Sequence, residues 1–229
     1  MRKFLIAFAA LACGCAQPPR PGPPAPPIAP ATVPVGPYQG YVIASSRVEI
    51  RVYRDGPMAQ LGHDHVITSD ALTGTIQLRD PIHDSSFNLE LPLASLVVDD
   101  PAARATAGPD FVKEVPQADR DATRHNMLGA ALLDAERQPV LRLTAQSLEG
   151  GPVDYIAQIR VGLRGEERII SVPLSIQVEG EQLSAQAYFK LHHADLGLTP
   201  FSVALGALRV RDDFDVNCSL EAKDSPPVP

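Results

Sequence analysis

Residues Ile170 to Leu191 read ISVPLSIQVEGEQLSAQAYFKL, and their spacing decides the fold. Ile170, Val172, Leu174, Ile176 and Val178 alternate with Ser171, Pro173, Ser175 and Gln177, and after Glu179-Gly180-Glu181 the pattern returns in Leu183, Ala185, Ala187, Phe189 and Leu191. Period two puts one apolar row on one face of each segment, and the glycine between them marks a tight antiparallel turn. Working outward, the same alternation holds in Val48, Ile50 and Val52, in Phe87, Leu89, Leu91 and Leu93, from Tyr155 to Leu163, and in Phe214, Val216, Cys218 and Leu220. Segments near Leu72 to Leu78, Val140 to Leu148 and Leu208 to Arg211 bring the total to about eight or nine strands. Gly150-Gly151-Pro152 and Arg164-Gly165-Glu166 supply further turns. A sandwich would use such strands equally well, but long, evenly spaced strands with few crossovers favour closure, which removes exposed edges. The expectation is an all-β, up-and-down antiparallel barrel of about eight strands. Asp99 to Asp134 breaks the pattern: Pro101, Pro109 and Pro116 with Ala-rich, mixed-charge composition predict one or two short helices, notably over Gln117 to Leu128.

With 229 residues and 45% hydrophobic content the chain can fill a real core, so a disordered protein is excluded. Twenty basic against 27 acidic side chains, no Trp and 5% aromatics give a phosphate-binding surface little support, so nucleic acid is not an expected partner.

The first 48 residues carry no Asp or Glu and form an address and a tether. Arg2-Lys3 precedes a nine-residue apolar run, Phe4 to Ala12, in the order of a secretory signal peptide, here residues 1–14. It is too short for a membrane span, which needs about 20 apolar residues. Cys13 and Cys15 sit where the signal would be cut, in Ala10-Leu11-Ala12-Cys13-Gly14-Cys15, a stretch that resembles the lipobox of bacterial lipoproteins. Cys15 is the expected lipidation site and Cys13 the alternative, and acyl chains there would hold the protein on a bilayer. Ten of the 22 residues from Ala16 to Pro37 are Pro, a composition that prefers extended polyproline geometry and serves as a tether. The barrel domain is expected over 38–222, with 223–229 as a disordered tail. Cys218 is the one cysteine in the body of the chain, so a disulfide framework is excluded, and its place in the apolar row makes it a small buried hydrophobe.

Gly62-His63-Asp64-His65 is the sharpest polar feature. Alternate positions in an extended segment put the imidazoles of His63 and His65 on one side, where they could meet a ligand's head group or, with a third ligand from elsewhere, a metal ion. The alternative is loop architecture, Gly62 allowing a tight turn and Asp64 capping nearby amides. His192 and His193 point to opposite faces, so at most one faces inward. Asp212, Asp213 and Asp215 read as a solvated acidic turn, lacking the Gly and terminal Glu of a loop-type Ca²⁺ site. No Gly-x-Ser-x-Gly elbow supports a catalytic triad, and no catalytic residue is assigned.

Several pieces, in order, carry a family resemblance: Ser46-Arg47-Val48-Glu49-Ile50 after Tyr41, Leu72-Thr73-Gly74-Thr75-Ile76, Asn126-Met127-Leu128-Gly129 running to Pro139-Val140-Leu141, Val161-Gly162-Leu163-Arg164-Gly165, and Asp195-Leu196-Gly197-Leu198-Thr199-Pro200-Phe201. Over roughly Tyr41 to Ala222 the chain resembles the YceI-like family. That resemblance implies an exported, extended lipocalin-like barrel that binds polyisoprenoid or related lipid chains. The chain departs from many members at Ala44 and Ser45, where they place Asp and His, and in carrying the His63 to His65 loop.

The function implied is that of a lipid-anchored, non-enzymatic binding protein of the bacterial cell envelope, facing the periplasm, more readily at the outer than the inner membrane because Ala16 follows Cys15. Its ligand would be an apolar chain such as an isoprenoid or quinone, and no other cofactor is expected. A tail shedding roughly 300 Å² of apolar surface gains about 7 kcal/mol before ordering costs. Lining candidates are Gly74, Ile76, Phe87, Leu89, Ala157, Ile159, Leu174, Ala185, Ala187, Phe189 and Phe201. The small residues among them, with Gly162, would leave room, or would pack closely at barrel corners. Two rivals stand beside this reading: a metal-dependent hydrolase or metal-binding protein using His63 and His65, and a filled barrel acting as an interaction module.

Overall fold

The computed structural model describes residues 37–225. In chain order its strands and helices are β1 (Gln39–Asp55), β2 (His65–Ser69), β3 (Thr73–Leu78), β4 (Ser86–Pro92), β5 (Val97–Val98), α1 (Pro101–Thr106), α2 (Gln117–Leu128), β6 (Val140–Gly150), β7 (Asp154–Leu163), β8 (Glu166–Glu179), β9 (Gln182–His192), β10 (Ser202–Val203) and β11 (Leu208–Ser225). Eight of the strands close a ring in the order β1, β3, β4, β6, β7, β8, β9, β11 and back to β1, every pair antiparallel. The all-β barrel expected from the alternation is what the chain forms. α2 spans the residues predicted for it, Gln117–Leu128.

β1 and β11 make the closing seam, from Gly40 opposite Ser225 to Asp55 opposite Arg209. Because β11 runs to Ser225, residues 223–225, expected in the tail, are paired in the sheet: Lys223 faces Gln182 on β9 and Asp224 faces Tyr41 on β1. Along its other edge β1 pairs first with β3, then with β2, which in turn carries β5. The turns β3–β4, β6–β7 and β8–β9 lie at one end of the barrel, and both helices lie at the other.

The helices are held by specific bonds. Pro101 opens α1 with its φ preset, and the Asp100 carboxylate accepts from the N–H groups of Ala102 and Ala103, each at 3.0 Å. Ala103, Ala107 and Phe111 pack on Val66 of β2, a small second core outside the ring. Arg124 of α2 donates to the carbonyls of Ala94 and Leu96, while Met127 joins the main core and so closes the helical end. No helix among the described residues is long and apolar enough to cross a membrane.

Candidate ligand-binding cavity

The inward rows of eight strands converge on a cavity of about 230 Å³. Apart from Ser85, Ser86, Gln186 and the Cys218 thiol, every lining side chain is hydrocarbon, and none carries a charge. Leu141 and Leu143 of β6, Leu174 and Ile176 of β8, and Val216 of β11 face inward yet stay only half-buried, as side chains around a hollow do. An apolar cavity of about 150 Å³ already takes benzene and stays dry when empty, so this one has room for a slender apolar chain. Burial pushes the Cys218 thiol up to about 11, which leaves it protonated and apolar at neutral pH.

Of the lining candidates, Ile76, Phe87, Leu89, Ile159, Leu174, Ala185, Ala187 and Phe189 do face the cavity. Four small or aromatic positions do not. Gly74 has φ +140°, and a Cβ there would lie 2.1 Å from the Asn88 carbonyl oxygen, so it serves close approach of two backbones. Ala157 is fully buried in close packing, and Gly162 faces Arg142 on the neighbouring strand. Phe201 is 43% exposed beside β10 and lies outside the cavity. Room is therefore left by Ala185 and Ala187 alone among the small candidates. Leu141, Leu143 and Val216 line the cavity without being among the lining candidates, although Val216 stands in the apolar row of β11 and period two through β6 reaches the other two.

The His63 to His65 loop lies apart from this lining. His65 opens β2, and its Nδ1–H donates to Oδ2 of Asp99 at 2.5 Å. Asp99 is fully buried and also accepts from the Val66 N–H at 2.9 Å and from Arg104 Nη1 at 2.6 Å. Burial pulls the Asp99 carboxyl upward, but the bonds from His65, Val66 and Arg104 prevail and hold it below the usual carboxylate range. The His63 ring centre is 6.2 Å from that of His65; burial, with the positive charge of Lys113, lowers the His63 pKa. Neither imidazole touches the cavity, so the head-group contact expected of them is not made to that space. Among the described residues no group of three His, Cys, Asp or Glu is placed to hold a metal ion. Asp64 does cap, accepting from the Arg54 N–H at 2.8 Å. Gly62 is no left-handed turn, with φ −103°; instead a Cβ there would press on Leu208 at 3.0 Å.

The other polar clusters are internally satisfied. His193 is buried, its Nδ1–H donating to the Asp212 carbonyl at 2.6 Å, while His192 points outward. Asp212, Asp213 and Asp215 lie within strand β11 and not in a turn. Lys190 and Arg211 pair with Asp213 and hold its carboxyl down to about 2, and Tyr53 donates to Asp215.

The model of the YceI-like domain matches residues 41–222, which reach into all eight strands of the ring. Among solved structures, BcnA of Burkholderia cenocepacia aligns with a TM-score of 0.56 at 12% identity, over 78% of this chain and 96% of its own. A polyisoprenoid binding domain from Saccharophagus degradans, implicated in plant cell wall breakdown, aligns at 0.53 and 14% identity, over 81% and 98%. At such identities the likeness is one of fold. No curated protein matches the chain. The domain match from Tyr41 to Ala222 takes in most of the chain, and the chain belongs to the YceI-like family.

Proposed function

We propose that this is a binding protein, not an enzyme, whose barrel shelters the hydrocarbon chain of an isoprenoid, quinone or similar lipid. The observation that carries this reading is the uncharged, hydrocarbon-lined hollow of about 230 Å³ enclosed by the ring of eight strands. A chain moved from water into it is driven by the area it sheds, and no polar lining group is left without water except three short or flexible ones, Ser85, Ser86 and Gln186. The Saccharophagus degradans domain, named for polyisoprenoid binding, shares the fold and supports the ligand class. The hollow also speaks against a filled interaction module, and among the described residues the His63–His65 pair is not joined by the third ligand that the metal reading requires.

The order of residues at the N-terminus supports export and anchoring: Arg2-Lys3, the apolar run Phe4 to Ala12, and Cys13-Gly14-Cys15, followed by the Pro-rich stretch to Pro37. All of these but Pro37 lie outside the described residues. In this reading acyl chains on Cys15 hold the protein at the outer membrane, and the tether lets the barrel reach its cargo in the periplasm. Labelled palmitate is then incorporated in Cys13→Ser and lost in Cys15→Ser; the reverse result moves the anchor to Cys13, and label in a double variant refutes anchoring at either.

The ligand is tested by solvent extraction of the freshly purified full chain, followed by mass spectrometry. About one apolar lipid per protein is expected. A lipid-free protein that also takes up no added geranylgeraniol would refute the binding role.

A further inference from the structure

β8 and β9 do not stay paired along their length. Their register runs from Glu179 opposite Gln182 up to Ser175 opposite Gln186, and there it stops. Above that point β8 pairs only with β7, and β9 only with β11. Pro173, two residues beyond the last pair, has no N–H to offer a ladder. The two strands therefore form a fork in the barrel wall. Leu196, in the loop that follows β9, lines the cavity, and Gly197 beside it abuts Arg168 of β8 at 3.0 Å for a would-be Cβ, so the fork is bridged at its top.

A second hollow, of about 490 Å³, lies at this fork on the outer face of the barrel. Its lining includes Ile156, Pro173, Tyr188 and Asn217, all outward-facing and exposed. It shares Leu174, Gln186 and Ala187 with the inner cavity, so the two spaces adjoin across those residues. Gln186 stands out here. The alternation of β9 turns it outward, yet it lines both spaces, and its carboxamide makes no hydrogen bond among the described residues. The outer hollow contains the carboxylates Glu149 and Asp154 and no Lys, Arg or His.

We infer that the β8–β9 fork is a side opening that holds the polar end of the ligand, and that this end is an uncharged hydroxyl, not a phosphate. The inference rests on the chain-binding reading above. A chain lying inside the barrel reaches the outer hollow between Leu174 and Ala187, where Gln186 offers both a donor and an acceptor to a hydroxyl. Glu149 and Asp154 can accept a hydrogen bond from a hydroxyl but oppose a phosphate, and no cation among the lining residues offsets them.

The test measures binding of parinaryl alcohol and of its monophosphate, polyene probes that fluoresce when withdrawn from water, to the full chain. The alcohol is expected to bind at least tenfold more tightly than the phosphate. In Gln186→Lys the phosphate should gain tenfold or more relative to the alcohol, and in Gln186→Glu the phosphate should weaken further. Gln186 is exposed, and unchanged melting of both variants establishes that they fold. Equal binding of the two probes, or a phosphate affinity indifferent to residue 186, overturns this inference while leaving chain binding intact. Failure of both probes to bind the unaltered protein overturns chain binding itself, and the side opening with it.

Discussion

His65 Nδ1 and Asp99 Oδ2 lie 2.5 Å apart, joining the start of β2 to the turn before α1 across 34 positions of sequence. The same carboxylate holds Arg104, which also donates to the carbonyls of Asp64 and Lys113, so one buried ion ties the insertion to the barrel. Removing one partner of a buried pair leaves the other uncompensated. Asp99→Ala should therefore lose about 3–5 kcal/mol in urea unfolding. Lipid uptake by the folded fraction should persist, since none of these side chains lines the cavity.

The same carboxylate sets a pH dependence. Its pKa is lower in the folded chain than unfolded, so its contribution is complete above about pH 4, the unfolded value, and is lost as pH falls through the folded one. The stability gap between the unaltered protein and Asp99→Asn should hold steady from neutral pH to about pH 4 and close in stronger acid. A gap that instead widens on acidification would mean that Asp99 is not ionised in the folded state.

Ala185 faces the hollow and Phe201 does not. Ala185→Leu adds apolar volume where there is space, so it should displace bound lipid, cutting uptake tenfold or more. Stability should hold or rise, at about 0.8 kcal/mol per buried methylene. Phe201→Ala, on an exposed side chain, should leave uptake as it is. Equal effects of the two substitutions on lipid content would contradict the placement of the ligand.

The strands and α2 were legible because period two and helix composition are local signals. What the rows enclose is not local. Whether inward side chains fill a barrel depends on volumes summed around eight strands, so Ala187 and Ala157, alike in sequence, end in a hollow and in tight packing respectively. Gly74 suggested space but marks a close approach of two paired backbones, a distinction that requires the position of Asn88 on the next strand. The partner of His65 lies too far along the chain for spacing to reveal it. The fork left one trace, Pro173 within an otherwise regular strand.

Cys218 reports on the cavity it lines. With its thiol raised to about 11, reaction with a thiol reagent at pH 8 should be about two orders of magnitude slower than for an unperturbed cysteine, and urea should restore the ordinary rate. Serine at positions 13 and 15 keeps the leader cysteines from contributing. Added geranylgeraniol should slow the reaction further. Acceleration by the lipid would place it elsewhere.

Nuclear Overhauser contacts between bound geranylgeraniol and labelled methyl groups test the binding site directly. Contacts are expected to Ile76, Leu174, Ala185 and Val216, which face the hollow. None should reach the methyls of Ile169, which is exposed on the outer face of β8. Contacts confined to those outer methyls, or no contacts at saturating lipid, would contradict a ligand held within the barrel.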